Sequence, residues 1–594
     1  MSTQLKTDSL CSILSEVKRP SRYIGGEWGS SPARQDRKDI LQVCYAFPDL
    51  YEVGMSYLGF QILYSLTKSL DYADAERVYS PWSDMEESLR KTGTPLWSLE
   101  SKRPLMEFDV IGFTLQYELS YTNVLTILDL SGIPLRSSQR NDSHPIILAG
   151  GPCALSPEPM APFIDAFCIG DGEVILPEVY QVLHDLKGRS RSEKLSALSK
   201  IEGVYVPEIK SKQPVRKRII ENLDDAFYPT EMIVPNTGII HDRIAIQVFR
   251  GCTRGCRFCQ AGMIDRPVRE RSANSVVNQV ERLLKTTGWE EVGLLSLATC
   301  DWTNFDEALK KLAPLLEKNQ TKLSLPSLRT DADSVNIAAK LQSIRKGGLT
   351  FAPEAGTQRL RDVINKGVTD KDIEEALEAT FFHGWERVKL YFMMGLPTET
   401  QKDLAGIIDI CDMAVSIAKK HKCRGDVSVS LAGFVPKAHT PFQWAAQLDK
   451  DSLRESGRWV KSNIRNKKVK LSYHEPEQTF LEGVFARGDS RLADVIEEVW
   501  RRGARFDGWT ECFNFDRWME VFRDLEIDAE SYAIRQRELD EILPWDHIDS
   551  GVSKEYLSKE WAKALNAANT IDCRDGCNFC GWQGHTNVRG CNNA

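Results

Sequence analysis

The chain has 594 residues, of which 42% are hydrophobic and 27% are charged, and its formal net charge is -8 at pH 7. This length exceeds the size at which one hydrophobic core stops growing, so several domains are expected, and the negative charge gives no general attraction to nucleic acid. No segment approaches the roughly 18 uninterrupted apolar residues of a membrane span, and the polar start lacks the apolar core of a signal peptide, which predicts a cytoplasmic protein with no membrane partner.

An α/β domain is predicted over residues 37–190, after a polar leader at 1–36. Its apolar strand candidates begin near Ile40 and recur at Asp109–Thr114, Ile146–Ala149 and Ala166–Ile169. Helical stretches separate these candidates. Short buried strands that alternate with helices are typical of a doubly wound, Rossmann-like parallel sheet.

Glycine-rich loops follow two of these strands. Gly150 and Gly151 follow one strand, and Gly170 and Gly172 follow the next. Ligands of open parallel sheets bind beyond the carboxyl ends of the strands, where glycines let backbone NH groups approach a nucleotide. These four glycines are therefore candidate cofactor-binding residues, and simple turns are the alternative.

A second α/β unit is predicted over residues 239–448, after a connecting region at 191–238. Six strand candidates alternate there with helices, and they read IAIQVF, VGLLSL, KLSLP, GLTFAP, RVKLYFMMG and DVSVSLAG. Six units are too few to close the usual eight-stranded barrel, so we expect a partial (β/α)6 barrel with its chemistry at the carboxyl ends of the strands. A helix-rich domain at 449–566 and a cysteine-rich tail at 567–594 complete the predicted organisation.

A cysteine motif, FRGCTRGCRFCQAG, follows the first strand of the partial barrel and carries Cys252, Cys256 and Cys259 in a CxxxCxxC spacing. Three thiolates can bind three irons of a cubane and leave the fourth iron without a protein ligand, as open catalytic metal sites do. Structural zinc is the alternative, but no fourth ligand follows closely. The spacing therefore predicts a [4Fe-4S] cluster with one open iron.

This motif and the strands around it, from about Arg243 to Trp444, resemble the radical S-adenosylmethionine (SAM) superfamily. The resemblance implies that the open iron binds SAM and that one electron cleaves SAM into methionine and a 5'-deoxyadenosyl radical. It also implies a low-potential electron donor of the ferredoxin or flavodoxin type. Phe258, directly before the third cysteine, matches the aromatic position that the family packs near adenine.

Further candidates for SAM binding stand at the predicted strand ends, in the segments LLSLATCD, LPSLRTD, FAPEAG and GLPTET. The resemblance implies cofactor-binding roles there for Ser296, Thr299, Ser327, Arg329, Glu354, Gly395 and Pro397. The Gly-Gly-Glu segment that the family usually carries at the second strand end is absent, and Ser296 and Thr299 stand in its place.

The N-terminal domain, with FPDLYEVGMSYLG and LAGGPCALSPEP, resembles the cobalamin-binding fold of the cobalamin-dependent radical SAM group, in a subfamily with an atypical cobalamin domain. The loop after its first strand, from Glu52 to Ser56, offers no histidine to cobalt. Two alternatives follow. Either cobalamin is bound without a histidine ligand, or the fold has kept its shape and lost the cofactor.

Six arginines surround the cysteine motif, and they are Arg250, Arg254, Arg257, Arg266, Arg269 and Arg271. Such a cluster could hold an anionic substrate or tune the cluster potential. Arginines paired with carboxylates of the protein itself are the alternative.

The tail repeats the CxxxCxxC spacing with Cys573, Cys577 and Cys580, and Cys591 supplies a fourth thiolate for which His585 is the alternative. Four thiolates suit an auxiliary [4Fe-4S] cluster or structural zinc, and unmetallated thiols are the third alternative. Because the tail is short and polar, a metal would stabilise its fold.

The sequence thus predicts a radical SAM enzyme that acts by hydrogen-atom abstraction, or by methyl transfer if cobalamin is bound. Its substrate class stays open among RNA, protein and small molecules. The competing hypothesis is an iron–sulfur electron-transfer or RNA-binding accessory protein without SAM chemistry.

Overall fold

A computed structural model of the chain describes residues 7–34, 36–211, 213–325, 330, 335–336, 339, 348–583, 586, 588 and 591. An N-terminal helix, Thr7–Glu16, precedes a parallel sheet, and two further parallel sheets and a set of helices follow. Within the described part of the chain, every helix is too short or too polar to traverse a lipid bilayer.

The N-terminal sheet has the strand order β2-β1-β3-β4-β5-β6, in which β6 alone is antiparallel to its neighbour. Its strands are β1 (Leu41–Phe47), β2 (Ala73–Tyr79), β3 (Val110–Thr114), β4 (Ile146–Gly150), β5 (Ala166–Cys168) and β6 (Val204–Tyr205). The associated helices are Tyr51–Gly54, Leu58–Ser69, Ser83–Thr92, Tyr121–Leu130, Gly172–Asp185 and Arg191–Leu198. Apolar side chains are buried in two clusters of this region. The doubly wound fold is confirmed, and its strand order reverses between β1 and β3, the point where such sheets bind ligands.

Strand β2 was not predicted, because its sequence ADAERVY carries three charged residues. All seven of its residues are nevertheless buried. Arg77 donates to Glu27 at 2.8 Å and to Glu100 at 2.7 Å. Buried charges of this kind are tolerated when they are paired, and both partners stand far from Arg77 in the sequence.

The partial barrel consists of two parallel sheets with the strand orders β12-β11-β8 and β13-β14-β15-β16. Their strands are β8 (Ile244–Gln247), β11 (Glu291–Leu295), β12 (Lys322–Ser324), β13 (Leu349–Glu354), β14 (Arg387–Met394), β15 (Asp426–Gly433) and β16 (Val469–Tyr473). Short pairings join β9 (Phe249–Arg250) to β10 (Arg269–Glu270) and β7 (Val215–Arg216) to β17 (Ile548–Asp549). The helices of this region are Gln260–Ile264, Ala273–Thr287, Phe305–Lys318, Gln358–Val363, Asp370–Phe382 and Gln401–Lys420.

All six predicted barrel strands are present, and β16 adds a seventh parallel strand beside β15. β16 lies within residues 449–566, which were predicted to be helix-rich. Its sequence, VKLSY, alternates apolar with polar residues and follows several lysines. That pattern is typical of a strand at the edge of a sheet and is weaker than the apolar runs of buried strands. The helices of the C-terminal region are Lys450–Asn463, Pro476–Ala486, Leu492–Arg501, Phe515–Asp524, Ala529–Ala533 and Lys554–Leu565.

The carboxyl ends of the N-terminal strands face the carboxyl ends of the barrel strands. Lys437, after β15, donates to Glu118, after β3, at 2.6 Å. Arg250, at the end of β9, pairs with Asp171, after β5, at 2.8 Å. The loops in which chemistry is expected therefore meet between the two α/β units.

The Gly356→Ala variant tests the packing that holds the loop after β13. A Cβ atom on Gly356 would stand 2.2 Å from the Asp403 carbonyl oxygen and 2.4 Å from the Ile407 nitrogen, both backbone atoms of the helix Gln401–Lys420. We expect a loss of about 1–3 kcal/mol in the free energy of unfolding, measured by urea denaturation. Gly238→Ala is the matched control, because a Cβ there meets nothing within 4 Å. Equal stability of the two variants would contradict this account.

Candidate functional site

The first cysteine loop, residues 252–259, leaves the sheet directly after β9. Gly251 has a φ of +91°, and a Cβ there would stand 2.6 Å from the Asp265 carbonyl oxygen, so glycine is needed where the loop begins. The loop ends at Cys259, which caps the helix Gln260–Ile264 by accepting a hydrogen bond from the Gly262 NH at 3.3 Å. Both ends of the loop are thus fixed by the backbone.

The three thiols of this loop are close neighbours. Burial, together with the neighbouring thiols of the loop, raises the pKa of Cys252, Cys256 and Cys259 to about 11 each. The Lys366 ammonium group opposes this effect at Cys256 and Cys259. Because metals bind thiolates, binding of a metal cluster to this loop must displace the protons of its thiols.

Glu354 and Lys366 lie beside the first cysteine loop. Glu354 ends β13 with a φ of +68°, and its carboxylate accepts a hydrogen bond from Lys366 Nζ at 3.1 Å. Burial disfavours the charge of Lys366, but Glu354 and Cys256 outweigh burial and raise its pKa. Glu354 was a predicted site residue, whereas Lys366 was missed. It stands in a loop beyond the helix Gln358–Val363, where no motif marks it.

Two side chains, Arg257 and Asn365, stabilise the first cysteine loop through hydrogen bonds to backbone carbonyl oxygens. Arg257 is fully buried and donates to the carbonyl oxygens of Asp362, Val363 and Ala568 at 2.7–3.0 Å. Asn365 donates through Nδ2 to the carbonyl oxygens of Arg254 and Gly255, both at 3.2 Å. The loop backbone is therefore fixed without regular secondary structure.

The arginines around the loop are largely paired with carboxylates of the protein itself. Arg250 and Arg269 both contact Asp171, and Arg254 pairs with Asp301 at 2.7 Å. Arg257 pairs with Glu560 at 3.1 Å. Arg271 donates to backbone carbonyl oxygens, and Arg266 donates to the Tyr556 hydroxyl. This arrangement favours ion-paired structural arginines over a surface for an anionic substrate.

The remaining candidates for SAM binding lie near the carboxyl ends of barrel strands or fall outside the described residues. Ser296 and Thr299 follow β11 with their hydroxyls 2.9 Å apart, and Thr299 is fully buried. Gly395, after β14, donates its NH to the Glu399 carboxylate at 2.9 Å, and Pro397 is half-buried in the same loop. Phe258 packs against an apolar cluster that also contains Met263 and Cys580. Ser327 and Arg329 lie outside the described residues.

The glycines predicted for the N-terminal cofactor site pack against the chain itself. A Cβ on Gly151 would stand 2.6 Å from the Leu115 carbonyl oxygen, and one on Gly170 would stand 2.0 Å from that of Arg218. A Cβ on Gly172 would meet the Leu63 side chain at 2.8 Å, while Gly150 has only a Cys168 oxygen at 3.7 Å. Close backbone packing explains Gly151 and Gly170 and favours their interpretation as turns, whereas no close backbone contact accounts for Gly150 or Gly172.

The tail brings its four thiols together. Burial, together with the nearby thiols of Cys580, Cys573 and Cys577, raises the pKa of Cys591 to about 11. Cys577 also accepts hydrogen bonds from the Phe579 NH at 3.3 Å and from Gln583 Nε2 at 3.1 Å. His585, the alternative fourth ligand, lies outside the described residues.

Neither cysteine group forms a preformed site for one metal ion. Among the residues described, no group of three or more His, Cys, Asp or Glu side chains would hold a metal ion as it stands. The thiolates around a cubane each bind a different iron, so they lie farther apart than the ligands of a single ion. The chemistry of both donor sets, soft thiols gathered on short loops, fits iron–sulfur clusters.

Comparisons with known proteins agree with this site. The family model described as the radical SAM superfamily matches residues 246–411, and the model for the N-terminal part of radical SAM proteins matches residues 59–207. Together they cover just over half of the chain.

Two curated relatives and one solved structure illustrate the similarity. An uncharacterised protein of Methanocaldococcus jannaschii is 26% identical over 77% of this chain and 91% of its own length. The anaerobic magnesium-protoporphyrin IX monomethyl ester cyclase of Cereibacter sphaeroides is 25% identical, over 41% of this chain and 40% of its own length. The radical SAM methyltransferase TsrM of Kitasatospora setae, solved with cobalamin and a [4Fe-4S] cluster, has a TM-score of 0.50 at 13% identity and covers 82% of this chain and 99% of its own. The cysteine loop at a strand end, the parallel sheets and the two family models together identify this chain as an enzyme of the radical SAM superfamily.

Proposed function

We propose that the enzyme cleaves SAM reductively at a [4Fe-4S] cluster held by Cys252, Cys256 and Cys259, and abstracts a hydrogen atom from its substrate. The observation that carries this proposal is the loop itself. Three neighbouring thiols stand at the carboxyl end of the first barrel strand, and no fourth ligand is supplied by the loop. When bound, the cluster and SAM supply the one-electron cleavage that yields the 5'-deoxyadenosyl radical.

The residues around the loop would stabilise an anionic cofactor. Lys366 brings a positive charge to Cys256 and Cys259, and Glu354 holds the Lys366 ammonium group in place. A cluster ligated by thiolates carries negative charge, and nearby cations raise its reduction potential. Phe258, packed on the adjacent apolar cluster, would contact the adenine of SAM.

The loops at the facing carboxyl ends of the strands in the two α/β units would enclose the substrate and exclude water. Lys437 lies between Glu118, 2.6 Å away, and Glu482, 2.9 Å away, and so bridges the N-terminal sheet to the C-terminal helices. His439 follows in the same loop, is buried, and contacts the Leu155 carbonyl oxygen through Nε2 at 2.8 Å. A closed chamber protects a carbon radical from reaction with solvent.

Cobalamin would have to bind where the order of the N-terminal strands reverses, between β1 and β3. A segment of the C-terminal region occupies this point. Trp509 donates to the Asp49 carboxylate at 3.0 Å, and the Phe506 NH donates to Asn123 Oδ1 at 2.9 Å. The residues at this point therefore do not fit the nucleotide tail of cobalamin. We favour hydrogen-atom abstraction over methyl transfer for this reason.

Two further parts of the proposal concern the surroundings of the enzyme. A ferredoxin or flavodoxin type of donor would supply the electron, and the substrate is RNA, protein or a small molecule. We infer a cytoplasmic location, because none of the fifteen cysteines is paired in a disulfide and thiols stay reduced in that compartment.

The first test removes one cysteine of the loop at a time. We expect Cys252→Ala, Cys256→Ala and Cys259→Ala each to abolish formation of 5'-deoxyadenosine from SAM and dithionite, because a cubane deprived of one thiolate no longer has a single site-differentiated iron. Cys512→Ala is the control, since Cys512 lies outside both cysteine groups. Cleavage retained in any one of the three variants would contradict the assignment. No cleavage by the wild type would favour the accessory protein.

The second test removes the charge beside the loop. We expect Lys366→Gln to weaken iron retention by about tenfold, because outer groups that support metal ligands contribute on that scale. Iron per chain would be measured after dialysis against a chelator. Lys371→Gln is the matched control, since Lys371 pairs at 3.4 Å with Glu375 on the surface. Equal retention in both variants would show that Lys366 does not support the cluster.

The third test offers cobalamin to the protein. After incubation with hydroxocobalamin and desalting, we expect no corrin absorbance in the protein fraction, because the segment with Phe506 and Trp509 fills the point of strand reversal. Retention of about one cobalamin per chain would overturn this expectation and restore methyl transfer as the reaction.

A further inference from the structure

The two cysteine groups, far apart in the sequence, are in direct contact in the structure. The Cys573 NH donates to the Thr253 carbonyl oxygen at 3.1 Å. Thr253 in turn donates through its hydroxyl to the Asp572 carboxylate at 2.9 Å. Thr253 is the residue after Cys252, so the tail begins its cysteine motif against the first cysteine loop.

Further contacts hold the tail in this position. Asn365, which fixes the first cysteine loop, accepts a hydrogen bond from the Thr570 NH at 2.9 Å. Arg254 of that loop pairs with Asp572 at 3.2 Å. At the other end of the tail motif, the Ser553 NH donates to the Cys580 carbonyl oxygen at 2.8 Å. The tail is therefore docked by the protein and does not depend on metal alone for its position.

A buried arginine with free donors lies between the two groups. Arg266 is 2% exposed, and it donates through Nη1 to the Tyr556 hydroxyl at 3.1 Å. Its Nε and Nη2 atoms have no hydrogen-bond partner among the described residues. A Cβ on Gly255 would stand 3.2 Å from Nη2, so the guanidinium touches the first cysteine loop.

The same guanidinium faces the tail. Burial disfavours the charge of Arg266, but Tyr556, Cys573 and Cys580 outweigh burial and raise its pKa. A buried cation with unsatisfied NH groups is costly unless an anion accepts from them. The sulfur atoms of an anionic cluster on the tail would supply both the charge and the acceptors.

We propose that Cys573, Cys577, Cys580 and Cys591 hold a second [4Fe-4S] cluster, with Arg266 beside it, that passes electrons to the cluster on the first cysteine loop. Four thiolates complete the ligation and leave no open iron, which suits electron transfer and not substrate binding. The hydrogen bond between the Cys573 NH and the Thr253 carbonyl oxygen gives electrons a short route between the two clusters. The relay role of this cluster rests on the proposed SAM cleavage. The assignment of the metal site does not, because it rests on the tail cysteines and Arg266.

The electron balance is simple. A low-potential one-electron donor of the ferredoxin or flavodoxin class reduces the tail cluster. The tail cluster is then oxidised as it gives that electron to the first cluster. The electron is consumed when one carbon–sulfur bond of SAM breaks to give methionine and the 5'-deoxyadenosyl radical. No proton is transferred.

The first experiment measures metal in the full-length chain after anaerobic reconstitution with iron and sulfide. We expect about eight irons in the wild type and about four in the triple variant Cys252→Ala, Cys256→Ala, Cys259→Ala, as two cubanes require. Cys577→Ser should also retain about four, and the control Cys512→Ser should match the wild type. One zinc and no iron on the tail of the triple variant would overturn the proposal, as would unchanged iron in Cys577→Ser.

The second experiment tests the contact between the clusters by electron paramagnetic resonance of the reduced protein. Two paramagnetic clusters in neighbouring loops should broaden each other's signals, and the triple variant should show one narrow signal from the tail. Identical line shapes in the wild type and in the sum of the single-cluster variants would overturn the relay. Because this readout does not require SAM, a failure of SAM cleavage is distinguishable from a failure of the tail site.

The third experiment compares electron sources. Dithionite, a small reductant, can reach the first cluster directly, whereas a flavodoxin would act through the tail. We expect the ratio of flavodoxin-driven to dithionite-driven cleavage to fall by about tenfold or more in Cys577→Ser. An unchanged ratio would overturn the relay.

Arg266 provides a variant that keeps every cysteine. We expect Arg266→Gln to make the tail cluster harder to reduce by about tenfold in its one-electron equilibrium, which corresponds to about 59 mV, while Arg266→Lys keeps the charge and shifts the potential less. A redox titration of each variant in the triple-alanine background isolates the tail signal. Equal potentials for the wild type and Arg266→Gln would overturn the role of Arg266.

Discussion

The arrangement of the enzyme depends on one carboxylate, Asp171, that lies between two guanidinium groups. Arg250 approaches it at 2.8 Å and Arg269 at 2.5 Å. Burial alone would raise the pKa of Asp171, but Arg250 and Arg269 outweigh it and hold the pKa well below its usual range. Asp171 follows β5 and Arg250 leads into the first cysteine loop. The N-terminal sheet and the cysteine loop are therefore held together by charges that cannot be separated without leaving one of them buried and unpaired.

Hydrogen bonds from side chains explain how the first cysteine loop keeps its shape without regular secondary structure. Arg257 stands between two cysteines, where a cluster would be near, yet its guanidinium is directed away and bonded to three backbone carbonyl oxygens. Asn365 satisfies two more carbonyl oxygens of the loop. Buried backbone groups need such partners, and side chains provide them where no strand or helix can. Arg257, one of the arginines that suggested an anionic substrate, thus stabilises the loop backbone.

The sequence predicted the parts of the fold that are marked by local patterns. Apolar runs predicted four strands of the N-terminal sheet and six of the barrel, whereas β2 was missed because Arg77 is buried by pairing with Glu27 and Glu100. At the candidate site the cysteines were evident from their spacing. Lys366 was not, because folding brings it to the first cysteine loop and no local pattern records a contact of that kind. Arg266 was predicted beside the first cysteine motif, but its position against the tail depends on folding and was not predicted.

The N-terminal sheet retains a cofactor-binding topology but uses its strand ends differently. Its order reverses between β1 and β3, where the segment that contains Phe506 and Trp509 caps Asn123 and Asp49 through hydrogen bonds. Trp82 packs on both aromatic rings, with centroids 4.9 and 6.2 Å away. Phe506 is buried and Trp509 is half-buried, and their ring contacts and hydrogen bonds stabilise the segment in that position. At the point of strand reversal, the loops after β1 and β3 are therefore bonded to the protein's own C-terminal region.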